Sequence, residues 1–158
     1  MAVDAGSKVR GAILAGGGST RFGGRPKGLE LVGGRRILDR LVDQFVAAFG
    51  EPPLLVANAP DAATWRPDLR LVGDLQPGLG ALGGIYTAVA AAPAPVVCVA
   101  WDMPFVTASL ITLLANDLDD ADVCLPAGRN RRGVEPLCAA YGAACRPAIE
   151  RADRKSVV

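Results

Sequence analysis

A short apolar run that leads into a glycine-rich, cationic loop constrains this chain more than any other feature. Val9 to Leu14 has the apolar character of a strand buried in a parallel sheet, and Gly16 to Lys27 then contains five glycines and three cations. Glycine lets backbone N–H groups approach an anion closely and adopt positive φ without steric cost. The cations Arg21, Arg25 and Lys27 can balance the charge of a triphosphate. The sequence therefore predicts a nucleotide-phosphate site directly after the first strand.

Two common phosphate-binding loops do not fit this segment. A Walker loop requires G-x-x-x-x-G-K-[ST], and no Lys-Ser/Thr pair follows Gly23. The dinucleotide fingerprint G-x-G-x-x-G can begin at Gly16 and Gly18, but Arg21 then takes the place of the third glycine. That glycine normally allows the following helix to pack directly on the strand, which arginine cannot do. The loop therefore belongs to neither class.

Strand-like and helix-like segments alternate along the rest of the chain. Short apolar runs predict strands over 54–56, 69–72, 96–100, 123–125 and 137–141. Apolar periodicity predicts helices over 37–49, 82–92 and 107–114, a helical turn over 61–64 and a short helix from 146. Such alternation is typical of α/β proteins with a mainly parallel sheet and helices on both faces. The sequence thus predicts one three-layer α/β/α domain with a Rossmann-like sheet, whose ligands bind beyond the carboxyl ends of the strands.

Composition and charge argue against several classes of binding partner and predict where the protein is located. With 158 residues, 51% of them apolar, and a net charge of +1, the chain gives no reason to expect nucleic acid or an anionic membrane as a partner. No apolar run approaches the ~18 residues of a transmembrane helix. Val9 to Leu14 is also too short for the core of a signal peptide, so the sequence predicts a cytoplasmic protein. Four irregularly spaced cysteines without any histidine argue against a zinc site and indicate buried free thiols.

Four segments carry motifs of a known enzyme family. The segment 14–27 resembles the signature L-A-G-G-x-x-x-R-[MF]-G-x-x-K of α/β nucleotidyltransferases. Segments 73–84, 99–105 and 135–141 resemble, in the same order, D-x-x-P-G-x-G-P-L-x-G, C-D-x-P-[FY] and P-L-x-A-L-Y. Together they extend over nearly the whole chain, which therefore resembles the molybdenum cofactor guanylyltransferases. The resemblance implies a fold of the nucleotide-diphospho-sugar transferase type. Residues 1–158 are then expected to form a single nucleotidyltransferase domain that lacks the family's C-terminal segment.

The resemblance also implies roles for the glycine loop. Backbone groups of Leu14, Ala15 and Gly16 would contact the base and ribose. Gly17 and Gly18 would face the phosphates. Arg21 and Lys27 would act as catalytic cations that neutralise the β- and γ-oxygens and the departing pyrophosphate. Donors placed in advance where charge develops stabilise a transition state electrostatically.

The other implied site residues follow later strands. Asp102 would bind the nucleotide and be the main ligand of Mg²⁺, an ion that takes one or two carboxylates together with phosphate oxygens and water. Asp74 would bind the nucleotide and accept hydrogen bonds from guanine N1–H and N2–H. Asn58 would contact the nucleotide, although a turn asparagine accounts for it equally well. Arg129, Arg131 and Arg132 fit a solvated hairpin turn better than a grip on the acceptor's phosphate.

By this resemblance the chain transfers GMP from GTP, with Mg²⁺, to the terminal phosphate of the molybdopterin cofactor. Molybdoenzymes or other cofactor-biosynthesis proteins would be its protein partners. Two alternatives stay open. One is a different nucleotidyltransferase, which transfers CMP to molybdopterin or acts on a sugar or polyol phosphate; Pro26 before Lys27, a pair found in such enzymes, favours it. The other is a catalytically idle nucleotide-binding adaptor that delivers the cofactor, which intact Arg21, Lys27 and Asp102 oppose.

Overall fold

Eight strands and five helices make up the described part of the chain. The computed structural model describes residues 8–16, 26–92, 95–129, 131 and 133–155. In chain order the first elements are β1 (Arg10–Leu14), a 3-10 turn (Lys27–Leu29), β2 (Leu31–Val32), β3 (Arg35–Arg36), α1 (Ile37–Phe49), β4 (Leu54–Val56), α2 (Ala62–Trp65) and β5 (Leu71–Val72). They are followed by α3 (Ala81–Ala91), β6 (Val96–Ala100), α4 (Ala108–Leu118), β7 (Val123–Cys124), β8 (Cys138–Tyr141) and α5 (Cys145–Lys155).

The central sheet has six strands in the order β5-β4-β1-β6-β8-β7. The four strands β5, β4, β1 and β6 are parallel, whereas β8 runs antiparallel between β6 and β7. After β1 the chain adds β4 and β5 on one side and then crosses to β6 on the other side of β1. The strand order therefore reverses at β1, and the carboxyl ends of β1, β4, β5 and β6 share one edge, where ligands bind in such sheets. The predicted fold class is confirmed.

Helices cover both faces of the sheet. Successive residues of a strand point to opposite faces, and each face of this sheet contributes to a separate apolar core. Ile13, Val97 and Val99 pack with α1, α2 and α4 in one core. Leu14 and Cys98 pack with α3 and α5 in the other. The two cores give the three layers that the alternation of segments predicts.

The helices and strands begin and end close to the predicted positions. Helix α1 has the predicted bounds, and Gly50 ends it in the left-handed region (φ 73°), where its N–H donates to Val46 O at 2.8 Å. Thr107 caps α4 as predicted, since its Oγ1 accepts from Leu110 N at 3.3 Å. Helix α4 continues past Leu114 because Leu118, only 4% exposed, adds a further turn to the core. Strand β5 has two residues instead of four.

A small hairpin after the glycine loop is not among the predicted elements. Strands β2 and β3 pair antiparallel around Gly33 and Gly34, whose φ angles are +60° and +78°. Two consecutive residues with positive φ are what a tight two-residue hairpin turn requires, and glycine takes them at no steric cost. At the base of this hairpin Ile37 N donates to Glu30 O at 3.0 Å. The segment after Lys27 is thereby tied to the start of α1.

The cysteine side chains form no disulfide bonds. All four cysteines are free, and Cys98, Cys138 and Cys145 are buried as expected, whereas Cys124 is half-buried. Within the described ranges, none of the helices has the length and apolarity that crossing a bilayer demands.

Candidate active site

The predicted site residues that the structure describes lie at one edge of the sheet. Leu14 ends β1, and Ala15 and Gly16 come directly after it. Asn58 follows β4, Asp74 follows β5 and Asp102 follows β6. Because these four strands are parallel neighbours, their carboxyl ends meet beside the point where the strand order reverses. The sheet thus brings together residues from four separate segments. Gly17, Gly18 and Arg21 lie outside the described residues.

The end of β1 is held from both sides. Trp101 N donates to Leu14 O at 3.1 Å, and Ala15 N donates to Val56 O at 2.8 Å. The side chains of Leu14 and Ala15 are buried. Gly16 is the first exposed residue beyond them, and no described atom lies within 4 Å of a Cβ built on it. The glycine loop therefore starts from a fixed backbone position at the centre of the edge.

Lys27 and Asp102 form the charged centre of this edge. Lys27 Nζ lies 3.6 Å from Asp102 Oδ2, and their side chains are 47% and 45% exposed. Lys27 begins the 3-10 turn, whereas Asp102 is the second residue after β6, so the pair joins the end of the glycine loop to the central strand. A cation for phosphate oxygens thus lies beside a carboxylate that faces solvent.

The Lys27–Asp102 pair rests on close packing between Gly28 and Trp101, two residues to which the sequence motifs assign no role. A Cβ added to Gly28 would lie only 2.2 Å from Cε3 of Trp101, so the backbone after Lys27 rests directly on the indole. Trp101 is 5% exposed and stacks on Trp65, with 4.9 Å between ring centroids. The residues next to Lys27 and Asp102 are therefore in direct contact. The available signal was a glycine after the loop lysine and a large aromatic residue before the aspartate.

Asn58 and Asp74 form a reciprocal pair. Asn58 Nδ2 donates to Asp74 Oδ2 at 2.7 Å, and Asp74 N donates to Asn58 Oδ1 at 2.7 Å. The next residue is also anchored, because Leu75 N donates at 3.0 Å to Oγ1 of the fully buried Thr87. The backbone on both sides of the Asp74 carboxylate is thus held by side chains.

Two spaces open beside these residues. A small cleft of about 40 Å³ lies between the strand ends and the start of α3, and its walls are Leu14, Gly16, Val56, Asp74, Gly80, Ala81, Gly84, Ala100 and Leu137. A larger cavity of about 510 Å³ is lined by Ala81, Leu82, Ile85, Arg131, Val134, Glu135, Pro136 and Leu137. Ala81 and Leu137 belong to both, so the two spaces adjoin. The larger cavity therefore opens next to the carboxyl ends of β1, β4, β5 and β6.

The arginine-rich turn contributes one cation to the larger cavity. Ala127 and Val134 form an antiparallel bridge, and Gly128 N donates to Gly133 O at 2.9 Å, so the segment turns back on itself as predicted. Arg131 lines the cavity, and Arg129 is exposed. Arg132 lies outside the described residues. Of the two described arginines in this turn, Arg131 is the one that can reach a ligand in the cavity.

The donor set at this edge suits a hard cation that arrives with a phosphate ligand. Within the part of the chain that the structure describes, no three His, Cys, Asp or Glu side chains cluster as a metal cage would require. Asp102 instead presents one solvent-facing carboxylate. Mg²⁺ is commonly held by one or two carboxylates, with substrate phosphates and water completing its octahedron. The residues present fit that mode of binding.

No thiol near the site is prepared to act as a nucleophile. Burial, assisted by the negative charge of Glu135, raises the pKa of Cys138 to about 11. Burial also raises the pKa of the Cys98 thiol. Because the thiolate is the reactive form, both cysteines stay protonated and inert at neutral pH. The chemistry that this edge supports is charge neutralisation and positioning.

The chain is similar to known proteins over most of its length. Residues 11–157 match the MobA-like NTP transferase domain. The molybdenum cofactor guanylyltransferase of Desulfosudis oleivorans is 36% identical over 146 residues, which are 90% of this chain and 70% of that protein. A probable molybdenum cofactor guanylyltransferase of Chloroflexus aggregans is 40% identical over 139 residues, 84% of this chain and 65% of that protein. The crystal structure of molybdopterin-guanine dinucleotide biosynthesis protein A from Archaeoglobus fulgidus shares the fold, with a TM-score of 0.76 at 24% identity over 94% of this chain and 74% of that one.

Proposed function

The chain belongs to the family of MobA-like NTP transferase domains and is a nucleotidyltransferase, and from this premise we propose that it acts in molybdenum cofactor biosynthesis. In this proposal residues 1–158 form one domain that transfers GMP from GTP, with Mg²⁺, to the terminal phosphate of molybdopterin. The two relatives that are 36% and 40% identical over the aligned residues are named as a molybdenum cofactor guanylyltransferase and a probable one. Their names support the choice of donor and acceptor.

The observation that carries the proposal is the Lys27–Asp102 pair. The two side chains lie 3.6 Å apart at the carboxyl end of β6, beside the fixed end of β1. A triphosphate that follows the glycine loop would meet the ammonium group of Lys27. Asp102 would hold Mg²⁺ together with the phosphate oxygens. When bound, the magnesium ion supplies a positive charge that polarises the phosphoryl group.

The reaction needs positioning more than proton transfer. A terminal phosphate oxygen of the acceptor forms a bond to the α-phosphorus of GTP, and the bond from that phosphorus to the α,β-bridging oxygen breaks. The electron pair leaves with pyrophosphate, and no proton has to be removed because the attacking oxygen is already anionic. Lys27 stabilises the charge that builds on the leaving group, an effect that is strong where donors are placed in advance. Alignment of the reacting oxygens accounts for much of the remaining rate enhancement.

The larger cavity is the proposed acceptor site. It adjoins the small cleft through Ala81 and Leu137, so an acceptor bound there would lie next to a nucleotide at the strand ends. Leu82 and Ile85 supply apolar wall for a ring system, and Arg131 supplies a cation for its phosphate. Pockets of this kind combine apolar walls with a few polar groups that fix orientation. Arg131→Ala should therefore raise the KM for the acceptor and leave the KM for GTP unchanged.

The test measures pyrophosphate release from GTP, Mg²⁺ and molybdopterin. We expect Asp102→Asn to lower turnover by about 10²-fold or more, the scale of losing one strong electrostatic contact in a transition state. Asp120→Asn is the matched control, since it removes an exposed carboxylate from the turn after α4. Unchanged release by Asp102→Asn, or no release by the unaltered chain, would overturn the proposal.

Selectivity for the guanine base is tested separately, by the shift in melting temperature that each nucleotide causes. GTP with Mg²⁺ should raise the melting temperature more than CTP, ATP or UTP does, because Asp74 can accept from both donors on the guanine edge. A ligand at a hundredfold excess over its Kd stabilises the native state by ~2.7 kcal/mol. Equal shifts with all four nucleotides would contradict guanine selection while leaving nucleotidyl transfer intact, and a larger shift with CTP would favour cytidylyl transfer.

A further inference from the structure

We propose that Glu135 recognises the acceptor by its pterin ring, accepting hydrogen bonds from the ring's N3–H and 2-amino group. This role rests on the proposed function, which places molybdopterin in the larger cavity, and it adds the residue that selects the ring. The sequence motif that contains Glu135 assigns it no role. The observation behind the proposal is a carboxylate that lines this cavity and is anchored through one of its oxygens.

The backbone of Glu135 is fixed where the arginine-rich turn meets β8. On the side of the turn, Ala127 and Val134 form an antiparallel bridge, and Glu135 N donates to Pro126 O at 3.2 Å. On the side of the strand, Cys138 N donates to Glu135 O at 3.2 Å where β8 begins. Strand β8 in turn pairs with the central strand β6. Hydrogen bonds on both sides thus fix the point from which the side chain leaves the main chain.

The carboxylate of Glu135 is anchored as well. Its Oε1 accepts from Leu137 N at 3.1 Å, and both residues line the larger cavity. An ionised carboxylate offers about four lone-pair sites and no donor, so this one hydrogen bond leaves most of its acceptor capacity for a ligand. The anchor also restricts rotation of the carboxylate. A flat ligand edge with two neighbouring donors suits a carboxylate that is held in this way.

The cavity offers different groups to the two ends of a pterin that carries a phosphate. The pyrimidinone ring of a pterin presents N3–H and the 2-amino group side by side, at a spacing that matches the two oxygens of a carboxylate. Arg131 brings a cation to the same cavity, and Leu82 and Ile85 add apolar wall. A phosphate has only acceptor oxygens and would be repelled by Glu135. The carboxylate therefore suits the donor-rich end of the acceptor, and Arg131 suits its anionic end.

Two pteridines that differ at one position test this contact. Pterin carries the 2-amino group, whereas lumazine carries an oxygen there and would turn an acceptor towards the carboxylate. Each is assayed as an inhibitor of pyrophosphate release from GTP, Mg²⁺ and molybdopterin. In the unaltered chain, pterin should compete with molybdopterin and bind about 10- to 100-fold more tightly than lumazine, the size of a hydrogen bond to a charged group.

Glu135→Gln separates the contact with the ring from the anchor. Its amide oxygen can still accept from Leu137 N, but its NH₂ then faces the donors of the ring. We expect the KM for molybdopterin and the inhibition constant of pterin to rise about 10- to 100-fold. The preference for pterin over lumazine should disappear, and the KM for GTP and the melting temperature should not change.

Two further variants serve as controls. Arg131→Ala should raise the KM for molybdopterin but not the inhibition constant of pterin, because pterin has no phosphate. Asp120→Asn, which alters an exposed carboxylate after α4, should change none of these constants.

The role of Glu135 fails if Glu135→Gln keeps the preference for pterin, and guanylyl transfer would then stand without it. A rise in the KM for GTP, with that for molybdopterin unchanged, would assign Glu135 to the nucleotide instead. Equal inhibition by pterin and lumazine in the unaltered chain, or inhibition by neither, would also overturn the contact. No pyrophosphate release by the unaltered chain with molybdopterin would refute the proposed function itself, and the role of Glu135 with it.

Discussion

Replacing Gly28 with alanine should impair catalysis, because the added methyl group would displace the backbone next to Lys27. The added Cβ would lie 2.2 Å from Cε3 and 2.6 Å from Cδ2 of Trp101. A normal contact begins at 3.4 Å, so backbone and indole must separate by 1.2 Å, the difference between 3.4 and 2.2. Trp101 has little room to retreat, because it is 5% exposed and stacked on Trp65. The backbone that carries Lys27 should therefore move.

That displacement should lower both the stability of the protein and its turnover. Overpacking of a well-filled interior typically costs about 1–3 kcal/mol, and the confined indole places Gly28→Ala in the upper half of that range. The same shift should change the 3.6 Å separation between Lys27 Nζ and Asp102 Oδ2. A displacement of about 1 Å from productive geometry can lower a rate about 10²-fold. We expect kcat for pyrophosphate release to fall by that factor while the protein stays folded at 25 °C.

A second glycine offers a matched control in another part of the structure. A Cβ on Gly11 would lie 2.4 Å from Cδ1 of Phe45, a fully buried ring of α1. Gly11→Ala thus has the same kind of clash near the start of β1, away from the charged edge. Denaturant unfolding should show comparable losses of stability in both variants. Turnover, measured well below both melting temperatures, should fall only in Gly28→Ala.

Three results would refute this reasoning. Wild-type turnover in a destabilised Gly28→Ala protein would show that the packing does not position Lys27. An equal loss of turnover in Gly11→Ala would show that general destabilisation explains the effect. The cost of Gly28→Ala in a Trp101→Leu background should be smaller than in the unaltered chain, since the clashing ring is gone. Additive costs would locate the strain elsewhere.

Further predictions concern pH, thiols and the loop lysine. Hydrogen bonding to Arg36 lowers the folded-state pKa of Asp39 below 3.8, so its stabilisation is present above that value and lost as pH falls through the lower folded pKa. Asp39→Asn should therefore flatten the decline in unfolding free energy between about pH 5 and pH 2, as urea titrations would show. A colorimetric thiol reagent should react first with half-buried Cys124, whereas protection of Cys124 with fast labelling of buried Cys98 would contradict the structure. Lys27→Ala should lower kcat/KM for GTP by about 10²-fold without a change in melting temperature, because its side chain is half exposed.

Local patterns in the sequence were sufficient for much of the fold. The periodicity over 37–49 and the apolar runs over 54–56 and 96–100 predicted α1, β4 and β6 with the bounds that the structure shows. These signals are reliable because each depends on residues a few positions apart. The convergence of the loops after β1, β4, β5 and β6 also followed, since parallel strands must end at a common edge. The roles of the individual site residues remain predictions.

Tertiary structure decided the order of the strands and the contacts between segments that are far apart in the chain. No local pattern shows that β8 inserts antiparallel between β6 and β7, because strand order depends on which apolar faces meet in the folded sheet. The contact of Gly28 with Trp101 and the reciprocal pair of Asn58 and Asp74 join segments far apart in the chain. The sequence determined which charged and polar groups the edge of the sheet would carry. Their spacing and orientation came from packing between residues far apart in the chain, which patterns over a few neighbouring positions do not determine.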